Sequence, residues 1–277
     1  ALAHWLSITH VCRYWRKVAS NHKDLWTQLD FRAAQVCAAD ARKIKPQAHL
    51  QVLKFILESC PSRIGSLSVD MNYGDHLDDA LGAFTGPAPN LYKLELRSFD
   101  LNKDEVPDRF LCYGAPRLKE LILQSMFIPR DSALWCNLKG LTWYGIEDPF
   151  SLPSGKEFFD ALRKSPNLEA LSIEGTLPLS LPDEVLTLPY LRDLSLNSCS
   201  LSEALVSLDL FNHIVFAEKA TLMLLIPYRS YSLTLANAVS SFFSRYFSPA
   251  SSIAKPRRIN TLRIEVPDDD YHFMIMA

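Results

Sequence analysis

One short pattern recurs along the 277 residues and limits what the chain can fold into. Pro89-Asn90-Leu91 leads into Leu94 and Leu96, and Ala115-Pro116-Arg117-Leu118 leads into Leu121 and Leu123. Ser165-Pro166-Asn167-Leu168 leads into Leu171 and Ile173, and Leu188-Pro189-Tyr190-Leu191 into Leu194 and Leu196. Looser copies open at Ile64, Leu138 and Ile259. In each copy the last two apolar residues are two apart, which puts their side chains on one side of a strand. The residue between them is Ser68, Glu95, Ile122, Thr142, Ser172, Ser195 or Arg263, polar in six of the seven copies. A parallel sheet buried on both faces reads as an unbroken apolar run. This pattern instead predicts strands with one dry face and one wet face, stacked copy on copy.

The flanking positions agree in part: Lys93 and Arg97, Glu120 and Gln124, Asp193 and Asn197 are polar. Ile122, Trp143 and Tyr144 interrupt the pattern; Trp143 should point inward and Tyr144 toward the wet face. Between strands, Gly155 to Leu162 predicts a helix with Phe158, Phe159 and Leu162 on one side, and Ser202 to Leu205 opens another. Lys219 to Ile226 reads as a strand without its Leu-x-x-Leu prefix. Leu233, Ala236, Val239, Phe243 and Phe247 trace a long amphipathic helix ended by Pro249. Its aromatic residues serve as core against the sheet, since the last copy at Ile259 follows.

Successive copies begin at 64, 91, 118, 138, 168 and 191, steps of 27, 27, 20, 30 and 23 residues. Uneven steps around a constant Leu-x-x-Leu-x-Leu resemble leucine-rich repeats, whose units run about 20–29 residues. That resemblance implies an α/β solenoid with a parallel, concave sheet. The family places Asn or Cys three residues after the last aliphatic. Asn72 and Cys199 match, whereas Phe99, Met126, Ile146 and Thr176 do not, so a continuous Asn ladder is not expected.

The start of the chain has another character. Residues 1–63 hold ten Lys and Arg against four Asp and Glu; the remainder holds 19 against 27. Trp5, Ile8, Cys12, Trp15 and Ala19 follow helical steps of three and four, and a short apolar turn begins at Leu25-Trp26 and runs to Leu29. Leu50, Leu53, Ile56, Leu57 and Cys60 trace a second helix, stopped by Pro61. The run from His10 to Ala19, followed by Asp24-Leu25-Trp26-Thr27-Gln28-Leu29, resembles the second half of an F-box, in the form abundant in fungi. The Leu-Pro-x-Glu helix that opens the family pattern does not precede it. The first residue is Ala1 and the first helical pattern starts in mid-turn, so the chain is expected to be a fragment or a processed form. The reading is therefore a partial F-box-like helical head and connector over residues 1–47, and a repeat array over 48–277.

Motifs for catalysis and cofactors are missing. There is no phosphate-cradling Gly-x-x-x-x-Gly-Lys, no dinucleotide fingerprint, no nucleophile elbow and no His-Glu-x-x-His, and glycine totals only nine. A triad can assemble across a sequence, so a dispersed site stays open as an alternative. No cofactor and no metal is expected; Asp268 to Asp270 lacks completing ligands. The formal charge of −2 gives no general pull toward nucleic acid, and no apolar run approaches the roughly 20 residues of a membrane span. The six cysteines form no Cys-x-x-Cys pair, which favours reduced thiols in the cytoplasm or nucleus.

The F-box resemblance implies docking on a Skp-type adaptor and, through a cullin scaffold, membership of a ubiquitin ligase, with the array holding an unknown target protein. No catalysis by the chain itself is expected. In the head, Leu6, Val11, Trp15, Leu25 and Trp26 are the candidates for adaptor docking. On the wet face, Lys93, Glu95, Arg97, Glu120, Tyr144, Glu174 and Arg263 are the candidates for target binding. The alternative is a stand-alone interaction scaffold carrying a degenerate F-box remnant.

Overall fold

The computed structural model describes residues 27–31, 61–71, 81–82, 84–98, 104–145, 152–198, 200–217, 220–226, 233–247 and 259–265. The helices expected over residues 5–19 and 50–60 lie outside these, as do Asn72 and Cys199. The chain divides into two compact units, Ala1–Cys136 and Asn137–Ala277.

The first unit contains β1 (Gln28–Phe31), β2 (Ser66–Met71), β3 (Lys93–Ser98), β4 (Asp104–Glu105), β5 (Glu120–Gln124) and β6 (Met126–Phe127). Strands β1, β2, β3 and β5 form one parallel ladder in that order, and β4 pairs with β6. The second unit contains β7 (Gly140–Tyr144), α1 (Gly155–Arg163), β8 (Ala170–Glu174), β9 (Leu186–Leu188), β10 (Asp193–Asn197), α2 (Leu201–His213), β11 (Ile214–Phe216), β12 (Ala220–Leu225), α3 (Leu233–Phe247) and β13 (Ile259–Glu265). Its main ladder is also parallel, in the order β7, β8, β10, β12, β13, with β9 and β11 as a separate short pair. The fold class is α/β with parallel sheet, as the alternation of strand and connector implies.

The register explains why the pattern recurs. Leu67 stands beside Leu94 and Leu94 beside Leu121; Val69, Leu96 and Leu123 make the next column. In the second unit Leu141, Leu171, Leu194 and Leu222 line up, as do Trp143, Ile173, Leu196 and Leu224. Each of these side chains is at most 3% exposed. The first apolar residue of each copy, at 64, 91, 118, 138, 168 and 191, is at most 1% exposed. Residues between the columns, such as Ser68, Glu95, Thr142, Ser172 and Ser195, are half-buried on the other face.

A repeated backbone device sets the offset. The Thr27 carbonyl accepts the N–H groups of both Gly65 and Ser66, at 2.9 and 2.8 Å. The Gly65 carbonyl does the same for Tyr92 and Lys93, and the Tyr92 carbonyl for Lys119 and Glu120. In the second unit the Lys139 carbonyl takes Glu169 and Ala170, and the Glu169 carbonyl takes Arg192 and Asp193. One carbonyl just ahead of each strand thus anchors the start of the next.

Strand β1 was not expected. The segment from Leu25 to Leu29 reads as a short apolar turn of the head, yet Gln28–Phe31 is a strand in register with Ser66–Val69. In retrospect Trp26-x-x-Leu29-x-Phe31 has the spacing of every other copy. The ladder therefore begins inside the span read as the head. The strand expected over 219–226 is β12, and the copy at Ile259 is β13.

The connectors of the second unit include three helices. Ser154 caps α1 by accepting the Glu157 N–H, and the Glu157 carboxylate returns a bond to the Ser154 N–H, a complete capping box. Phe158, Phe159 and Leu162 are buried, with Phe158 stacked on Trp143 at 6.5 Å between ring centres. Ser200 caps α2, which starts one residue ahead of the expected Ser202, and Phe211 of α2 meets Phe242 of α3 at 5.2 Å. Phe242 is thus core, as the sequence suggests for the aromatic side of this helix. In the first unit, the described connectors are turns, extended segments and two short 3-10 helices, Pro61–Arg63 and Ala133–Trp135, with Phe84 against Phe110 at 5.9 Å.

Two stability tests follow from this packing. Leu94→Asp buries an unpaired carboxylate and should cost about 3 kcal/mol or more in urea unfolding. Glu95→Gln, on the open side of the same strand, should cost less than about 1 kcal/mol; equal losses would refute the facing of β3. Gly155 has no room for a methyl group, because an added Cβ would sit 2.3 Å from the Ser180 carbonyl oxygen. Gly155→Ala should therefore destabilise by about 1–3 kcal/mol. Gly86, with nothing within 4 Å of such a Cβ, should accept alanine with a change of less than about 1 kcal/mol.

Candidate functional site

Each strand presents three positions to the face opposite the leucine columns. In the first unit these are Ser66, Ser68 and Asp70 on β2, Lys93, Glu95 and Arg97 on β3, and Glu120, Ile122 and Gln124 on β5. Four of the target-binding candidates, Lys93, Glu95, Arg97 and Glu120, thus form one patch. Their charges answer one another. Lys93 Nζ lies 3.6 Å from Glu120 Oε2 across the strands, and Arg97 pairs with Glu95 along β3. Asp70 stands beside Arg97 in register. Such pairs are worth about 0–1 kcal/mol at a surface. They fix side-chain positions more than they hold the fold.

The second unit presents Gly140, Thr142 and Tyr144, then Ala170, Ser172 and Glu174, then Asp193, Ser195 and Asn197, then Thr221, Met223 and Leu225. The register brings together the candidates Tyr144 and Glu174, which are neighbours on β7 and β8. Arg263 falls in the middle column, beside Met223 on β12. The floor here is small and hydroxyl-bearing, unlike the charged patch of the first unit. The contributions of β12 escaped the sequence reading. In Ala-Thr-Leu-Met-Leu-Leu the inward and outward residues are nearly all apolar, so the alternation is hidden.

The strands end in a shared way. The residue two beyond the last buried aliphatic is Ser98, Ser125, Gly145, Gly175 or Ser198. Three of these have positive φ: Ser125 at 52°, Gly145 at 83° and Gly175 at 65°. Side chains rarely adopt that conformation, which explains glycine at two of the positions. The Gly145 N–H donates to the Glu174 carbonyl at 3.0 Å and the Gly175 N–H to the Asn197 carbonyl at 3.3 Å. The signal was present in the sequence, one position before the Asn or Cys site that the repeat resemblance draws attention to.

The opposite ends of the second unit's strands carry a charged row. Lys139 Nζ lies 2.5 Å from Glu169 Oε1. The hydrogen bond from Lys139, its charge and the nearby Arg192 hold the Glu169 carboxyl below its ordinary value. On the outer side of α1, Arg163 pairs with Glu184 and, at 2.9 Å, with Asp160, and these partners, Glu184 foremost, raise its guanidinium pKa.

The adaptor candidates Leu6, Val11, Trp15, Leu25 and Trp26 lie outside the described residues. Among the described residues, no group of three or more His, Cys, Asp and Glu is placed to hold a metal ion. No helix among them is long and apolar enough to cross a membrane. Comparison with protein-family models, with curated proteins and with solved structures gives no match.

The Lys139–Glu169 contact can be tested by titration. A carboxyl with a lowered folded pKa contributes stability that is present above its unfolded value, near 4.5, and lost as pH falls through the folded value. Lys139→Ala should move the Glu169 carboxyl midpoint, followed by carbon NMR, upward toward the ordinary value. The stability difference between variant and wild type should vanish at acidic pH.

Proposed function

We propose that the open face of the parallel strands is a protein-recognition surface of a leucine-rich-repeat solenoid, and that the chain is the target-recognition subunit of a cullin-RING ubiquitin ligase. The observation that carries the surface reading is the alignment of columns. Leucine positions are constant and buried, while the positions between them vary and stay open. Residues that the fold does not dictate are available for recognition. The ligase reading rests on the resemblance of residues 10–29 to an F-box. On it, Leu6, Val11, Trp15, Leu25 and Trp26 face a Skp-type adaptor, and Lys93, Glu95, Arg97, Glu120, Tyr144, Glu174 and Arg263 face the target. The chain's part is to position a target for a partner's chemistry. Exposed free thiols at Cys112 and Cys136 fit work in the reducing cytoplasm or nucleus.

One observation favours the alternative of a stand-alone scaffold. The F-box-like run ends at Leu29, inside β1, so its last residues belong to the sheet. Adaptor binding separates the two readings. The chain, extended upstream to a complete F-box pattern, should bind a Skp-type adaptor in calorimetry, and Trp15→Ala should weaken that binding at least tenfold with an unchanged circular dichroism spectrum. A well-folded extended chain with no adaptor binding would leave the scaffold reading in place. In either case Lys93→Glu with Glu120→Lys, which retains the mutual pair, should alter target affinity while shifting the melting temperature little.

A further inference from the structure

On the open face of the second unit, the end row of the strands runs Tyr144, Glu174, Asn197, one residue each from β7, β8 and β10. Neighbouring strands are about 4.8 Å apart, so an aromatic ring, a carboxylate and a carboxamide stand side by side. We infer that this row is a recognition site for an arginine side chain of the target protein. The inference rests on the reading of the open face as a target-binding surface.

Charge supplies the first argument. Glu174 is exposed, and among the described residues it forms no ion pair. Asp193 on the same face is in the same condition, and the described face positions of β7, β8, β10 and β12 carry no cation. Arg263 is placed by register in the middle column of β13, two strands beyond β10. The end-row position on β13 is another acid, Glu265. Elsewhere the acids beside these strands have their cations: Glu120 has Lys93, Glu95 has Arg97, and Glu169 has Lys139. Among the described residues Glu174 is therefore an acid set at the end of the strands without a cation beside it.

Rigidity and shape supply the second. Strands β7 and β8 both turn away at glycines of positive φ directly after Tyr144 and Glu174. The N–H groups of those glycines extend the ladder by one bond, so the row is fixed by backbone on rigid elements. Tyr144 is half-buried, which limits its ring to few positions. The floor behind the row, Thr142, Ser172 and Ser195, is small enough for a chain to approach closely. A guanidinium suits the row better than an ammonium does. Its planar fork can stack on a ring while donating to a carboxylate and to a carboxamide oxygen, whereas an ammonium is a compact point charge.

The test is an NMR titration of the whole chain with N-acetyl-arginine amide, N-acetyl-lysine amide and the uncharged isostere N-acetyl-citrulline amide. The arginine compound should shift the amide signals of Tyr144, Gly145, Glu174, Gly175 and Asn197 saturably. The lysine compound should bind severalfold more weakly, and citrulline should leave these signals in place. Glu174→Gln should weaken the arginine compound at least about fivefold, Tyr144→Leu about two- to fivefold, and Tyr144→Phe hardly at all, as stacking requires. Unshifted signals elsewhere report that each variant is folded. Absence of saturable shifts in the wild-type row, or equal shifts with citrulline, overturns the arginine site. Either result leaves the target-surface reading standing, because that reading is decided by target affinity of the Lys93 and Glu120 variants.

Discussion

Everything in the sheet depends on adjacent strands meeting at zero offset. A slip of one residue would turn every side chain of a strand to the other face. Leu94 and Leu96 would move out, and Glu95 would enter a column now made of leucines. Burial of a leucine is worth about 1.5–3 kcal/mol, and an unpaired charge in its place costs more than that gain. The carbonyl ahead of each strand reinforces the same register, since Thr27, Gly65, Tyr92, Lys139 and Glu169 each accept two N–H groups from the next copy. Backbone pairing and side-chain burial thus favour one alignment, the consistency that lets a repeated sequence specify a single packing.

That constraint divides the residues into two classes with different freedoms. The aligned apolar columns accept little beyond Leu, Ile, Val or Trp. The open positions are limited only by what lies beside them across about 4.8 Å. The two units use this freedom differently. In the first, opposite charges are set in neighbouring positions, so the patch is balanced within itself. In the second, hydroxyl and small residues floor the face, and the acids at its edge are left without described cations. A partner meeting the first patch must compete with existing pairs, while one meeting the second row completes a charge.

Much of this was legible in the sequence, for identifiable reasons. β3, β8 and β10 follow a Pro-x-Leu turn and alternate cleanly, so period two stands out, and β5 follows the same turn with Ile122 interrupting the alternation. Phe158, Phe159 and Leu162 on one side mark α1. β12 could be seen as a strand, but its face residues could not, because Thr221, Met223 and Leu225 alternate with leucines of similar character. β4, β6, β9 and β11 are two or three residues long, too short for a period to be read. The pairing of Lys93 with Glu120, and of Tyr144 with Glu174, requires the register, which a sequence does not contain until the copies are laid side by side. The column of Ser and Gly at the strand ends was present all along. It lies one residue before the position where the repeat family places Asn or Cys.

The first strand carries a consequence for the head. In the Leu-x-x-Leu-x-Leu spacing, Trp26 holds the position that Ile64, Leu91 and Leu118 hold in later copies, and those three are buried. Thr27, its successor, anchors Gly65 and Ser66 as the matching residues of later copies anchor theirs. The same tryptophan belongs to the F-box-like run, which ends three residues later at Leu29. If that run docks on an adaptor as proposed, its final residues answer to two demands, and the ladder enforces one of them with two backbone bonds. Adaptor contacts are then better sought upstream of Thr27, among Leu6, Val11, Trp15, Leu25 and Trp26. The recognition surface would begin directly where the head ends, because Gln28 is already a strand residue in register with Ser66.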